Sequence, residues 1–236
     1  MYHVLTSLRF MILWMIGLCA SIFGATVGIT VLLPLLTRLM VSLPFLPAAG
    51  TAQIVIYMAL IAIVCGTPLG LLIGSVQKGL MRQKFHADFR WWLFVSVLGA
   101  IFGVVISEFA TFIMVDHMGA YLQELRNLNN VRPPDVRAVA IYAVLIYSPP
   151  IVMMSLLQTL VLRLYTRAAW LWVLAHIVSA IVFSTLLYTL ILTGGLFIFV
   201  GWLGLIVLVL SPGIITGFTM LFLLTLIRRP WWPEEI

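Results

Sequence analysis

Charge is what this chain has least of. Only 8% of its 236 residues are Asp, Glu, Lys or Arg, against 64% hydrophobic. A soluble domain carries roughly a quarter charged residues, so this one lacks the surface groups that would keep it in water. Cysteine is nearly absent too. Cys19 and Cys65 stand alone, far from any CxxC spacing, which excludes a disulfide framework and a thiolate metal site; each reads as a small buried apolar residue. There is no HExxH, no GxSxG, no pair of buried aspartates and no second carboxylate near Glu108. With no such constellation, the chain is expected not to be an enzyme, and neither a metal nor a cofactor is called for by motif.

Apolar length is what the chain does have. A bilayer-spanning helix needs about 20 mostly apolar residues. Six such stretches follow one another, at about 8–36, 52–80, 91–115, 138–162, 168–193 and 196–227. They use nearly the whole of 1–236, so a single transmembrane domain is expected, an all-α integral membrane six-helix bundle. The first stretch is too long for the apolar part of a cleaved signal and is expected to be a retained span.

The net charge of +6 does not point to nucleic acid, because the bases sit at the ends of apolar spans, where Lys and Arg reach lipid phosphates. Nine of them fall on the N-terminal side: Arg9, Lys78, Arg82, Lys84, Arg90, Arg163, Arg167, Arg228 and Arg229. The other side has four, Arg38, Arg126, Arg132 and Arg137. Positive residues stay cytoplasmic, so both termini are expected inside a plasma (inner) membrane. Trp91, Trp92, Trp170, Trp172, Trp231 and Trp232 fall at the same interface, where an indole is expected to sit at headgroup level. The one sizeable outer loop begins DHMGAYLQELRNL; a short surface helix is expected there, ended by Pro133 and Pro134.

Polar residues recur at fixed spacing. Thr67-Pro68, Gln77 and Arg82 mark span two, and Ser148-Pro149, Gln158 and Arg163 repeat the same intervals in span four. Span six offers Ser211-Pro212 and Arg228, two residues longer and without the Gln. In the odd spans Trp14, Trp92 and Trp172 are each followed seven residues later by Ser21, Gly99 and Ser179. Small residues four apart accompany them, as in Gly66, Gly70 and Gly74, or Gly99 and Gly103. Such stripes let helix backbones approach closely. The organisation this suggests is three pseudo-repeated two-helix hairpins, parallel about an axis normal to the membrane. In its repeated QKGLMR and QTLVLR strings and its Trp-x6-Gly spacing, the chain resembles a loose group of uncharacterised bacterial multi-pass membrane proteins. That resemblance covers spans two to five and implies no activity.

Four residues inside the spans are candidates for a site. Glu108, in VVISEFATF, could bind a cation or take up a proton. His176, in WVLAHIVSA, could ligate a porphyrin or chlorin metal or bond a neighbouring span, though no second ligand stands four residues away. Gln77 and Gln158 lie five residues inside a terminal Arg, about 140° of helix rotation, so Arg is expected to face lipid headgroups and Gln to bond a neighbouring helix or a substrate. A non-catalytic accessory, assembly or anchoring subunit of a larger membrane complex asks least of these features. The alternative is a transporter, or its membrane subunit, for a small solute or lipid. The partners expected are the bilayer and other membrane subunits.

Overall fold

A computed structural model describes residues 2–42, 51–85, 89–127, 136–192 and 200–226. Those residues are all-helical, with no strand among them. Six helices follow in order: α1 (Tyr2–Ser42), α2 (Thr51–Phe85), α3 (Trp92–Asn127), α4 (Val136–Leu162), α5 (Trp170–Leu192) and α6 (Val200–Leu226). A single 3-10 turn, Arg167–Ala169, precedes α5, opened by the Thr166 hydroxyl accepting from the Ala168 amide at 3.2 Å.

Each helix falls on one of the six apolar stretches: α1 and α2 run past both ends, α3 past its C-terminal end and α4 past its N-terminal end, while α5 and α6 lie within theirs. The largest difference is in α3. Residues expected to form a separate surface helix, up to Asn127, continue α3 without a break. No proline interrupts them, and Gly119 alone, at about 1 kcal/mol against alanine, does not stop a helix of otherwise good formers. Pro133 and Pro134, residues 193–197, and Arg228, Arg229, Trp231 and Trp232 lie outside the described residues. Pro34, Pro68, Pro149, Pro150 and Pro212 all stand inside helices rather than ending them. Ser7–Leu32, Val55–Gln83 and Trp92–Thr111 are long and apolar enough to cross a membrane; Ser148–Leu162, Arg167–Phe183 and Leu210–Leu226 are shorter apolar stretches.

Every helix packs on its chain neighbours and α6 closes onto α1, which makes a ring. Glycine sets the closeness of two seams. A Cβ at Gly66 would lie 2.6 Å from the Ile101 Cα, and one at Gly70 2.5 Å from the Val97 Cα, so α2 and α3 touch backbone to backbone. Between α3 and α4, a Cβ at Gly99 would lie 2.5 Å from the Met154 Cα, and one at Gly103 would fall on Pro150. The α1–α6 seam is looser. A Cβ at Gly213 would lie 3.2 Å from the Met15 Cα, and one at Gly217 would lie 3.0 Å from the Met11 sulfur and 3.1 Å from the Trp14 ring.

The surface of the described residues is largely apolar. Phe23, Phe94, Phe109, Ile181 and Phe218 are all well exposed, while Ser21, Gln77, Ser96, Ser107, Ser155, Gln158, His176, Ser179 and Thr216 are buried. That inverts the polarity of a water-soluble fold.

Candidate functional site: an indole–amide core

Three tryptophans meet inside the ring. Trp14 on α1, Trp92 on α3 and Trp172 on α5 are each fully buried. The Trp172 ring lies 6.0 Å from that of Trp14, edge to face, and 6.2 Å from that of Trp92. Such pairs contribute about 0.5–1.5 kcal/mol each beyond area burial. Trp92 and Trp172, expected from sequence to sit among lipid headgroups, turn into the protein rather than outward. Their neighbours Trp91 and Trp170 are instead the exposed members of each pair.

A buried indole N–H needs an acceptor, and each finds one on the preceding helix of the ring. Trp92 Nε1 donates to Gln77 Oε1 at 3.2 Å, and Trp172 Nε1 to Gln158 Oε1 at 2.8 Å. Trp14 Nε1 donates to Thr216 Oγ1 at 3.2 Å. The two amides join these pairs: Gln158 Nε2 donates to Gln77 Oε1 at 2.8 Å and to Ser96 Oγ at 2.7 Å. Ser96 passes its own proton to the Trp92 carbonyl at 2.7 Å, and Thr216 passes its proton to the Pro212 carbonyl at 2.7 Å. The network thus ties α2, α3, α4 and α5 together by side chains alone, and a shorter branch ties α6 to α1.

Gln77 and Gln158 are brought together, while Arg82 and Arg163 are exposed. Thr216 was not singled out from sequence. Counting nine residues from Pro212, as from Pro68 to Gln77, lands on Leu221 and passes it by. The signal that finds Thr216 is Trp14, which shares the spacing of Trp92 and Trp172 but has no Gln to receive its N–H.

His176 is buried one turn beyond Trp172, with ring centroids 4.3 Å apart. Its Nδ1 lies 2.8 Å from the Trp172 carbonyl oxygen. A carbonyl only accepts, so Nδ1 carries the proton and Nε2 is the nitrogen left with a lone pair in the neutral ring. Among the described residues there is no group of three or more His, Cys, Asp or Glu that could hold a metal ion. Glu108 is half-buried on α3, sixteen residues past Trp92 and so about 24 Å further along the helix. The structure does not bring it to the two glutamines.

One register recurs in two seams. Ser21, seven residues after Trp14, donates to the Leu72 carbonyl of α2 at 3.2 Å. Gly99, seven residues after Trp92, faces the Met153 carbonyl of α4, where a Cβ would lie 2.9 Å from the oxygen. Leu72 and Met153 each stand four residues after their helix's hydroxyl–Pro proline. No protein-family model matches the chain, and no curated protein or solved structure is similar to it.

Proposed function

We propose that this chain is a multi-pass integral membrane protein, built as three pseudo-repeated hairpins with both termini cytoplasmic, that serves as a non-catalytic accessory, assembly or anchoring subunit of a larger membrane complex. One observation carries the proposal: the buried polar side chains, Gln77 Nε2 excepted, bond neighbouring helices or their own backbone, while the outward surface of the described residues is apolar. Gln77, Gln158, Ser96, Thr216 and three indoles bond helix to helix, so their chemistry goes into holding the ring. Lipid supplies no hydrophobic push between helices, and such bonds with close glycine packing are what holds a bundle there. The repeated Trp-to-carbonyl register of the α1–α2 and α3–α4 seams supports the hairpin organisation.

Purification from the source membrane in mild detergent, with quantitative mass spectrometry, tests the role. The expected result is a second membrane protein at fixed stoichiometry. A chain that purifies alone and gains thermal stability with a defined solute overturns the subunit role. That result would favour the second reading, a transporter, whose one supporting observation is the looser α1–α6 seam, where a Cβ at Gly213 or Gly217 would lie 3.0 Å or more from its nearest neighbours, against 2.5–2.6 Å at Gly66, Gly70 and Gly99.

A further inference from the structure

The three indole pairs define a correspondence round the ring. Thr216, Gln77 and Gln158 each receive the indole of the next odd helix, from Trp14, Trp92 and Trp172 respectively. Four residues after each tryptophan stand Leu18, Ser96 and His176. Gln158 spends its amide protons on Ser96 Oγ of α3, the odd helix before it, and on Gln77 Oε1 of α2, the even helix before that.

One step back round the ring, Gln77 should find the same two acceptors on α1 and α6. It finds neither. Leu18 stands where α3 has Ser96, buried in the apolar cluster with Trp14 and Ile73. Thr216 stands where α2 has Gln77; it is too short to reach as an amide does, and its oxygen is already engaged with Trp14 and the Pro212 carbonyl. Gln77 is 1% exposed, and its Nε2 has no hydrogen-bond partner among the described residues. Exchanging the amide's nitrogen and oxygen does not relieve this, because Trp92 Nε1 and Gln158 Nε2 both donate to Oε1 and would then face a donor. A buried donor left without an acceptor is strongly disfavoured.

We propose that Gln77 Nε2 is the donor of a binding site for one neutral hydrogen-bond acceptor oxygen, water or the carbonyl or hydroxyl oxygen of a small solute, on the side where Leu18 and Thr216 replace the acceptors that Gln158 enjoys. The ligand is neutral because an amide offers no countercharge, and an unpaired ion would not leave water for this interior. The inference stands apart from the subunit role, since it concerns one donor and its acceptor.

Solid-state NMR of the full chain in lipid bilayers, labelled with 15N-glutamine, tests it without any substitution. The Gln77 amide is assigned by its through-space contact to the Trp92 indole, and by its loss in Gln77→Met if that variant folds. Magnetisation transfer from water to the Gln77 Nε2 protons is the result expected for water. A structure with a non-protein, non-water oxygen within about 3.2 Å of Nε2 is the result expected for a solute. The absence of both a water transfer peak and any such oxygen overturns the proposal, whether Nε2 is then paired to a protein acceptor or left unpaired.

Discussion

Replacing Gln158 by leucine should cost more stability than any other single change in the polar core. Gln158 makes three side-chain bonds, to Gln77, Ser96 and Trp172, and each reaches a different helix. Interhelical bonds in a bilayer average about 0.6 kcal/mol, so three contribute about 2 kcal/mol. Leucine also strands the Trp172 indole N–H in a fully buried position, at about 1–3 kcal/mol. A side chain of similar bulk refills the space, so little cavity cost is added. The sum is about 3–5 kcal/mol, or roughly a hundred- to several-thousand-fold in the folding equilibrium. Gln77→Leu removes only two bonds within the protein, and its Nε2 has no protein acceptor to lose, so it should cost about 1 kcal/mol less. Steric-trapping or reversible denaturant titration in bicelles measures both. Gln158→Leu within about 0.5 kcal/mol of the parent, or Gln77→Leu the more damaging of the two, refutes the assignment of that network as a principal tie between helices.

Further outcomes follow from the same contacts. Gly99→Ala puts a methyl against the α4 backbone at Met154 and should destabilise by about 1–3 kcal/mol, whereas Gly28→Ala meets nothing within 4 Å and should be neutral or gain up to about 1 kcal/mol; thermal unfolding of the two variants side by side decides it. Leu18→Ser should cost about 1–2 kcal/mol less with Gln77 present than in a Gln77→Leu background, because the amide can donate to the new hydroxyl oxygen while its proton goes to the Trp14 carbonyl, as Ser96 does to Trp92, and a double-mutant cycle reads that coupling. Trp172→Phe should lose about 2 kcal/mol or more through its bond to Gln158 and its packing on Trp14 and Trp92, while Trp170→Phe at the exposed surface should leave the unfolding midpoint within about 1 °C.

Much of the helix plan was legible because six apolar stretches leave the chain little else to be. The inward facing of Gln77 and Gln158 was legible too, since five residues on a helix turn a side chain away from a terminal Arg that must reach water. The burial of Trp92 and Trp172 was not. An indole is amphipathic and suits a headgroup or a buried amide equally, and sequence cannot say which of two near-adjacent tryptophans turns in. What decides is an acceptor on another helix, about fifteen residues back in the chain. Thr216 was hidden for a related reason. Proline spacing fixed the register of α2 and α4, but α6 meets α1 in a register set by Gly213, Gly217 and the Met side chains, and a threonine back-bonded to its own helix has no spacing that marks it. Continuation of α3 beyond its apolar part is not marked in the sequence, because a change to polar residues says where the apolar part stops and not where a helix that nothing stereochemical interrupts must end.

Spin labels at Phe94, Ile181 and Phe218, each on the apolar outside of the ring, test most directly whether lipid is the solvent of this surface. In bilayers all three should relax strongly with dissolved oxygen and weakly with a water-soluble nickel chelate, with a label at Arg82 showing the opposite. Nickel-dominated relaxation at the three apolar positions would mean that water bathes this face, and the inside-out account of the fold would be wrong.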